Sequence, residues 1–324
     1  MIRLFIGLLL LIASAEIYSS EEPCLKNIRQ LTFSEMGFEK AGEAYFSPDG
    51  KSILFQAVPK GQKNYQIYRM ELSEGIPMLI STGKGACTCA YFHPNGQKII
   101  FASSHSDPVP FREEIPHEGY KWDLTPYMNI YEANPDGTDL QPLTAGPAYH
   151  AECAYSPDGK KIVYASNESG SMNIYMMDAD GSNQVALTAT EGVYNGGPFF
   201  SPDGNRVVFR ADRTQPNYLQ IYLIDLQSGK EEQLTDNGAV NWAPYWHPDG
   251  NEIAFTTSLH GHHQYEIYFM DLLSGALQRI TNHIDFDGLP VFSHDGKKLM
   301  WTSKRSNDHT CQIFIADFIN PFKS

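Results

Sequence analysis

The sequence predicts an all-β fold, a six-bladed β-propeller built of four-stranded antiparallel blades. The first observation is a phrase written six times: Ser47-Pro48-Asp49-Gly50, His93-Pro94-Asn95-Gly96, Ser156-Pro157-Asp158-Gly159, Ser201-Pro202-Asp203-Gly204, His247-Pro248-Asp249-Gly250 and Ser293-His294-Asp295-Gly296. Successive copies start 46, 63, 45, 46 and 46 residues apart, and a period near 45 is blade length. Pro presets φ, and Asp or Asn before Gly accepts the positive φ of a tight turn, so each phrase reads as a hairpin. The second observation is what flanks the phrase. An aromatic stretch precedes it (Tyr45-Phe46, Tyr245-Trp246). A β-branched and aromatic run follows (Ile53-Leu54-Phe55, Val207-Val208-Phe209), then Ile-Tyr or Ile-Phe, then Leu-Thr or its like. Four such runs per unit, bounded by Gly, Asp and Asn, read as four strands, and helical spacing is absent.

The last unit stops after its third strand, while Ile28-Arg29-Gln30-Leu31-Thr32 is a fourth-strand phrase with no blade before it. We expect this N-terminal segment to complete the sixth blade, which closes the ring and removes two exposed strand edges.

Residues 1–15 read as a secretory signal: Arg3, an apolar run from Leu4 to Ile12, then Ala13-Ser14-Ala15 as the cleavage site. The run is too short to span a bilayer of about 30 Å. Residues 16–27 form an N-terminal segment and 28–324 the propeller, with no membrane span once the leader is removed. The net charge of −14 excludes nucleic acid and anionic membrane as partners, since both need Lys and Arg clusters. Five cysteines (Cys24, Cys87, Cys89, Cys153 and Cys311) leave at least one thiol unpaired. The Cys87/Cys89 pair reads as packing on an inner strand rather than as a metal or redox site.

Candidate site residues follow from equal positions in the repeat. Six before each turn phrase stand Ala41, Cys87, His150, Asn195, Asn241 and Asp287, and four before it Glu43 and Glu152. Residues two apart in a strand share a face, so Glu43, His150, Glu152, Asn195, Asn241 and Asp287 are expected to converge on one mouth of the channel. Tyr149, Tyr194, Trp242 and Phe286 add aromatic faces, and the return strands add His105, Arg210, Arg213 and Arg305. Such a rim suits a small polar ligand or a peptide tail. Seventeen extra residues in blade two, between His105 and Pro126, carry Phe111, Tyr120 and Trp122. They are expected to project over the same rim as a lid or contact loop. No catalytic set is evident, and neither a cofactor nor a bound metal is expected.

The aromatic-Ser-Pro-Asp-Gly-Lys phrase, with Ile174-Tyr175-Met176-Met177-Asp178-Ala179-Asp180-Gly181, resembles the repeat of TolB-type propellers over residues 28–318. The resemblance implies an exported propeller acting as a binding or scaffold module for an envelope protein, a peptide or a small polar ligand. TolB itself carries an α/β domain before its propeller, and no such domain is expected between Ala15 and Ile28. The same repeat occurs beside peptidase domains and in oligogalacturonate lyases. That implies two alternatives: an accessory propeller for a separately encoded hydrolase, or a metal-assisted lyase with His105 and His150 as ligands. No Gly-x-Ser-x-Gly elbow or His-Glu-x-x-His helix is present to serve a hydrolase.

Overall fold

The computed structural model describes residues 23–109 and 124–323. Six four-stranded antiparallel sheets are arranged as a six-bladed propeller. The innermost strands are Phe38–Phe46, Cys87–Phe92, His150–Tyr155, Asn195–Phe200, Asn241–Trp246 and Asp287–Phe292. Five outer strands are only two or three residues long, from Gln141–Pro142 and Val185–Ala186 to Glu231–Gln233. Short outer strands leave little unpaired edge for another chain to extend.

Each predicted turn forms. Ser47 Oγ donates to Asp49 Oδ1 at 2.7 Å and accepts from the Ser52 amide at 3.0 Å, which locks the hairpin into the second strand. Ser156, Ser201 and Ser293 repeat the pattern. The core lies between blades. One repeat position, Phe55, Phe101, Tyr164, Phe209, Phe255 and Trp301, supplies a fully buried ring to every blade. Each such side chain stabilises the fold by about 1.5–3 kcal/mol.

The Leu-Thr phrase of the fourth strand has a specific task. Its hydroxyl accepts the first Ile amide of the third strand and donates to the Gln, Asn or Glu before that Ile. Thr235 does this with Ile221 and Gln220, both bonds lying within 2.9 Å. Thr144, Thr188 and Thr281 match it, and Ser81 performs the same task in blade one. In the sixth blade the hydroxyl comes from Thr32, bonded to Ile313 and Gln312 across the whole chain. The strand Leu25–Gln30 pairs antiparallel with Gln312–Phe318, so the N-terminal segment closes the ring as expected. The closing strand begins at Leu25, three residues before the expected start. Residues 1–15, expected to be a secretory leader, lie outside the described residues, as does the centre of the blade-two insertion.

Candidate functional site on the propeller axis

Every inner strand carries a bulge at the same repeat position, four residues before the turn phrase. Glu43, Cys89, Glu152, Gly197, Ala243 and Leu289 all have φ between 46° and 59°, and the strand register shifts at each. Left-handed backbone costs a non-glycine residue about 1–2 kcal/mol. Part of that cost is offset by bonds from the preceding blade. Thr302 Oγ1 accepts the Glu43 amide, Gln56 Oε1 the Cys89 amide, Glu152 Oε2 the Gly197 amide and Thr256 Oγ1 the Leu289 amide. All six bulge residues line one chamber of about 260 Å³ on the axis.

The bulge divides the expected rim set. Because alternation fails across it, the residues six before the turn do not face the way of those four before it. Asn195 donates to Thr190 Oγ1 and the Met172 carbonyl, and accepts from Arg213. Asn241 donates to Gln220 and Asn237. Asp287 pairs with Arg305 and accepts from Trp301 Nε1 at 3.0 Å. All three are 0 % exposed; Asn195 and Asn241 tie their blades to the preceding one, and Asp287 braces its own blade. His150 is buried against Tyr164, and burial lowers its pKa against the opposing influence of Glu168. His105 accepts or donates at Ser103 Oγ (2.9 Å) and packs at a tilt against Tyr131. Burial and Lys84 lower its pKa. The structure therefore gathers Glu43, Glu152, Arg210 and Trp242 in the chamber and places His105, His150, Asn195, Asn241 and Asp287 outside its lining.

Within the chamber Glu152 is the hub. Its Oε1 accepts from Arg210 Nη2 at 2.7 Å and from the Tyr194 hydroxyl at 2.9 Å, and its Oε2 from the Gly197 amide at 2.6 Å. Gly197 is required here, since a Cβ would meet Arg210 Nη1 at 1.9 Å. Burial disfavours the Arg210 charge, but Glu152 and Tyr194 outweigh it and hold the guanidinium pKa above its ordinary value. Glu43 accepts from the Tyr45 hydroxyl at 3.2 Å. Burial, with Glu152 adding repulsion, raises its carboxyl pKa. Burial also pushes the Cys89 thiol well up, with Glu43 next, so this buried cysteine is an inert thiol rather than a thiolate nucleophile.

An aromatic plug floors the chamber. Tyr45, Tyr91, Phe199 and Tyr245 come from four blades and meet at centroid distances of 5.0–6.1 Å, with Tyr91 and Tyr245 sharing a hydroxyl contact of 3.2 Å. Below it the turn phrases rim a second recess of about 370 Å³ containing Pro48, Pro94, Pro157, Pro202 and Pro248. On the opposite face a funnel of about 1210 Å³ is lined by Tyr194, Tyr218, Trp242, Tyr265 and Phe286. Trp242 lines both funnel and chamber, and Leu124, where the described chain resumes after the insertion, lies in the funnel wall. Sequence reading missed Tyr218 and Tyr265, which sit in loops between strands, and the plug. The plug's signal was the aromatic residue two before the turn phrase, visible in the sequence but read as strand packing.

A polar chamber floored by an aromatic plug, with Trp242 standing between it and an aromatic funnel, defines a six-bladed propeller with a recess fit for binding. The TolB beta propeller domain matches residues 123–214, 186–265 and 219–320, and this chain belongs to that family. It is 34 % identical over 197 residues to an uncharacterized protein of Agrobacterium fabrum, covering 59 % of this chain and 57 % of that protein. It is 30 % identical over 84 residues to the Tol-Pal system protein TolB of Francisella tularensis, covering 26 % and 19 % respectively. The chain thus spans less than two thirds of either relative's length. Among solved structures it is similar to a protein assigned as TolB from Agrobacterium tumefaciens (TM-score 0.63, 22 % identity, 86 % and 91 % of the two chains). An oligogalacturonate lyase in complex with manganese superposes with TM-score 0.56 at 14 % identity, over 93 % and 95 %. Both likenesses are of fold alone.

Proposed function

We propose that this chain is an exported binding module of the cell envelope that accepts a segment of a partner protein in its funnel. The observation that carries the reading is the funnel itself. At about 1210 Å³ it exceeds the roughly 300–1,000 Å³ of a small-molecule pocket, which favours a polypeptide over a small polar ligand. Its aromatic lining is the type that anchors protein partners. Family membership and the leader-like residues 1–15 support the envelope setting. The lyase alternative draws no support from His105 and His150. Both are tied into the blades, and among the described residues neither joins a three-residue cluster able to hold a metal.

The test is retention of envelope proteins on immobilised mature chain, wild type against Trp242→Ala/Phe286→Ala. A partner held by wild type should bind the double variant at least about tenfold more weakly, equivalent to 1.4 kcal/mol. Equal retention by a folded variant would move the site off the funnel.

A further inference from the structure

On the turn face, away from the funnel, blade five departs from its siblings in charge. Five residues after the start of each turn phrase the blades carry Ser52, Lys98, Lys161, Arg206, Glu252 and Lys298. The basic ones bond across to neighbouring groups, as Lys161 does to Asp178 and Lys298 to Asp317. Blade five alone has an acid there, and Glu252 is only 2 % exposed. Its turn phrase also opens with His247, 4 % exposed, in place of serine.

These side chains converge. His247 Nδ1 lies 3.0 Å from Asp249 Oδ2 and 3.7 Å from Glu252 Oε2. Ligand atoms of all three lie within 4.8 Å of one another. Glu252 Oε2 is buried with no hydrogen-bond partner, and it faces the His247 nitrogen. The Nε2 edge of the ring packs against Gly296, 2.6 Å from where a Cβ there would sit, so Nδ1 is the nitrogen that faces the two carboxylates. Nδ1 receives only a long contact from the Asp249 amide, at 3.4 Å. With Nδ1 unprotonated, three lone-pair bearers face one space and repel unless a cation stands between them.

We propose that His247, Asp249 and Glu252 form a divalent transition-metal site, with zinc the best-fitting ion. Tetrahedral ligands at about 2.1 Å from zinc stand ~3.4 Å apart, between the two separations present. One imidazole with two carboxylates is a zinc-compatible donor set that leaves a fourth position open. Lys323 is the competitor. Its ammonium contacts Asp249 Oδ2 and lies 3.9 Å from Glu252 Oε1, so it fills the missing positive charge when no metal is bound. Phe322 stacks on Phe269 at 5.5 Å and holds that tail in place.

The experiment is zinc titration calorimetry on the dialysed full-length mature protein, with wild type, Lys323→Ala, Glu252→Lys and His247→Ser. Wild type should bind one equivalent, and Lys323→Ala should bind it about tenfold more tightly because the competing cation is gone. Glu252→Lys and His247→Ser install residue types that other blades use at these positions, so both should fold and lose the equivalent. The absence of a stoichiometric site in wild type and Lys323→Ala alike would overturn the proposal. So would binding unchanged in folded His247→Ser, or binding lost instead on replacing His262 in the exposed His260–His263 loop.

Discussion

Removing the Glu152 side chain probes the chamber's electrostatics. Glu152→Ala leaves Arg210, 6 % exposed, with the Tyr194 hydroxyl but without its carboxylate partner, and deprives the Gly197 amide of its acceptor. Breaking a buried pair by removing one partner costs about 3–5 kcal/mol. The neighbouring Glu43 charge and the chamber's solvent space favour the lower end, about 3 kcal/mol. No new backbone strain is added, because position 152 already holds a non-glycine residue at φ 57°. At ~2–4 °C per kcal/mol the melting temperature should fall by roughly 6–12 °C. Glu152→Gln keeps the shape and one acceptor oxygen but turns the other into a donor, so it should lose stability too, though less than Glu152→Ala. The discriminating variant is Glu152→Ala/Arg210→Met, which removes both charges and should recover at least half of the loss. Urea midpoints for these four proteins and for the single Arg210→Met decide the matter. A loss under ~1 kcal/mol for Glu152→Ala, or a double variant worse than the two single losses summed, would refute the reasoning. The same buried bonds mean that a His150/Glu152 double alanine variant, neutral for folding on a solvated rim, would lose stability here.

Glu266 stands where the other blades place Gln66, Asn129, Asn173, Gln220 and Gln312, and burial raises its pKa to about 7 even with Thr281 and Arg279 opposing. The native state then holds a proton that the unfolded chain has released above about pH 4.5, so stability should fall as pH rises from 4.5 through 7. Glu266→Gln should flatten that slope in urea titrations between pH 5 and 8; an identical slope would contradict the assignment. Deleting residues 16–32 removes Thr32 and the closing strand, and thermal melts should show a loss of several kcal/mol; a melting temperature within one or two degrees of the mature chain would count against closure as a source of stability. N-terminal sequencing of protein recovered from the producing cell should read from Glu16, and an intact Met1 on soluble cytoplasmic protein would rule out export.

The blades were legible because the repeat states one instruction six times. Turn chemistry and period-two strands are local properties, and the orphan phrase ending in Thr32 could pair with only one unfinished blade. The site was half legible. Glu43, Glu152, Arg210 and Trp242 line one chamber, but the bulge that turns Glu43 and Glu152 inward leaves no mark in residue type: its six positions hold Glu, Cys, Glu, Gly, Ala and Leu. Asn195, Asn241 and Asp287 looked like rim residues because they are polar at the end of a strand. Their polarity instead serves bonds within and between blades, which depend on partners 4 to 23 residues away in sequence. The funnel's Tyr218 and Tyr265 lie in loops, where no period marks them.

Binding in the funnel is tested most directly by photo-crosslinking in the producing cell, with a benzophenone amino acid placed at Tyr218 in the funnel wall or at Pro157 in the turn-face recess. The account predicts a discrete protein adduct from position 218 that Trp242→Ala/Phe286→Ala abolishes, and none from position 157. Adducts from position 157 with none from position 218 would contradict it.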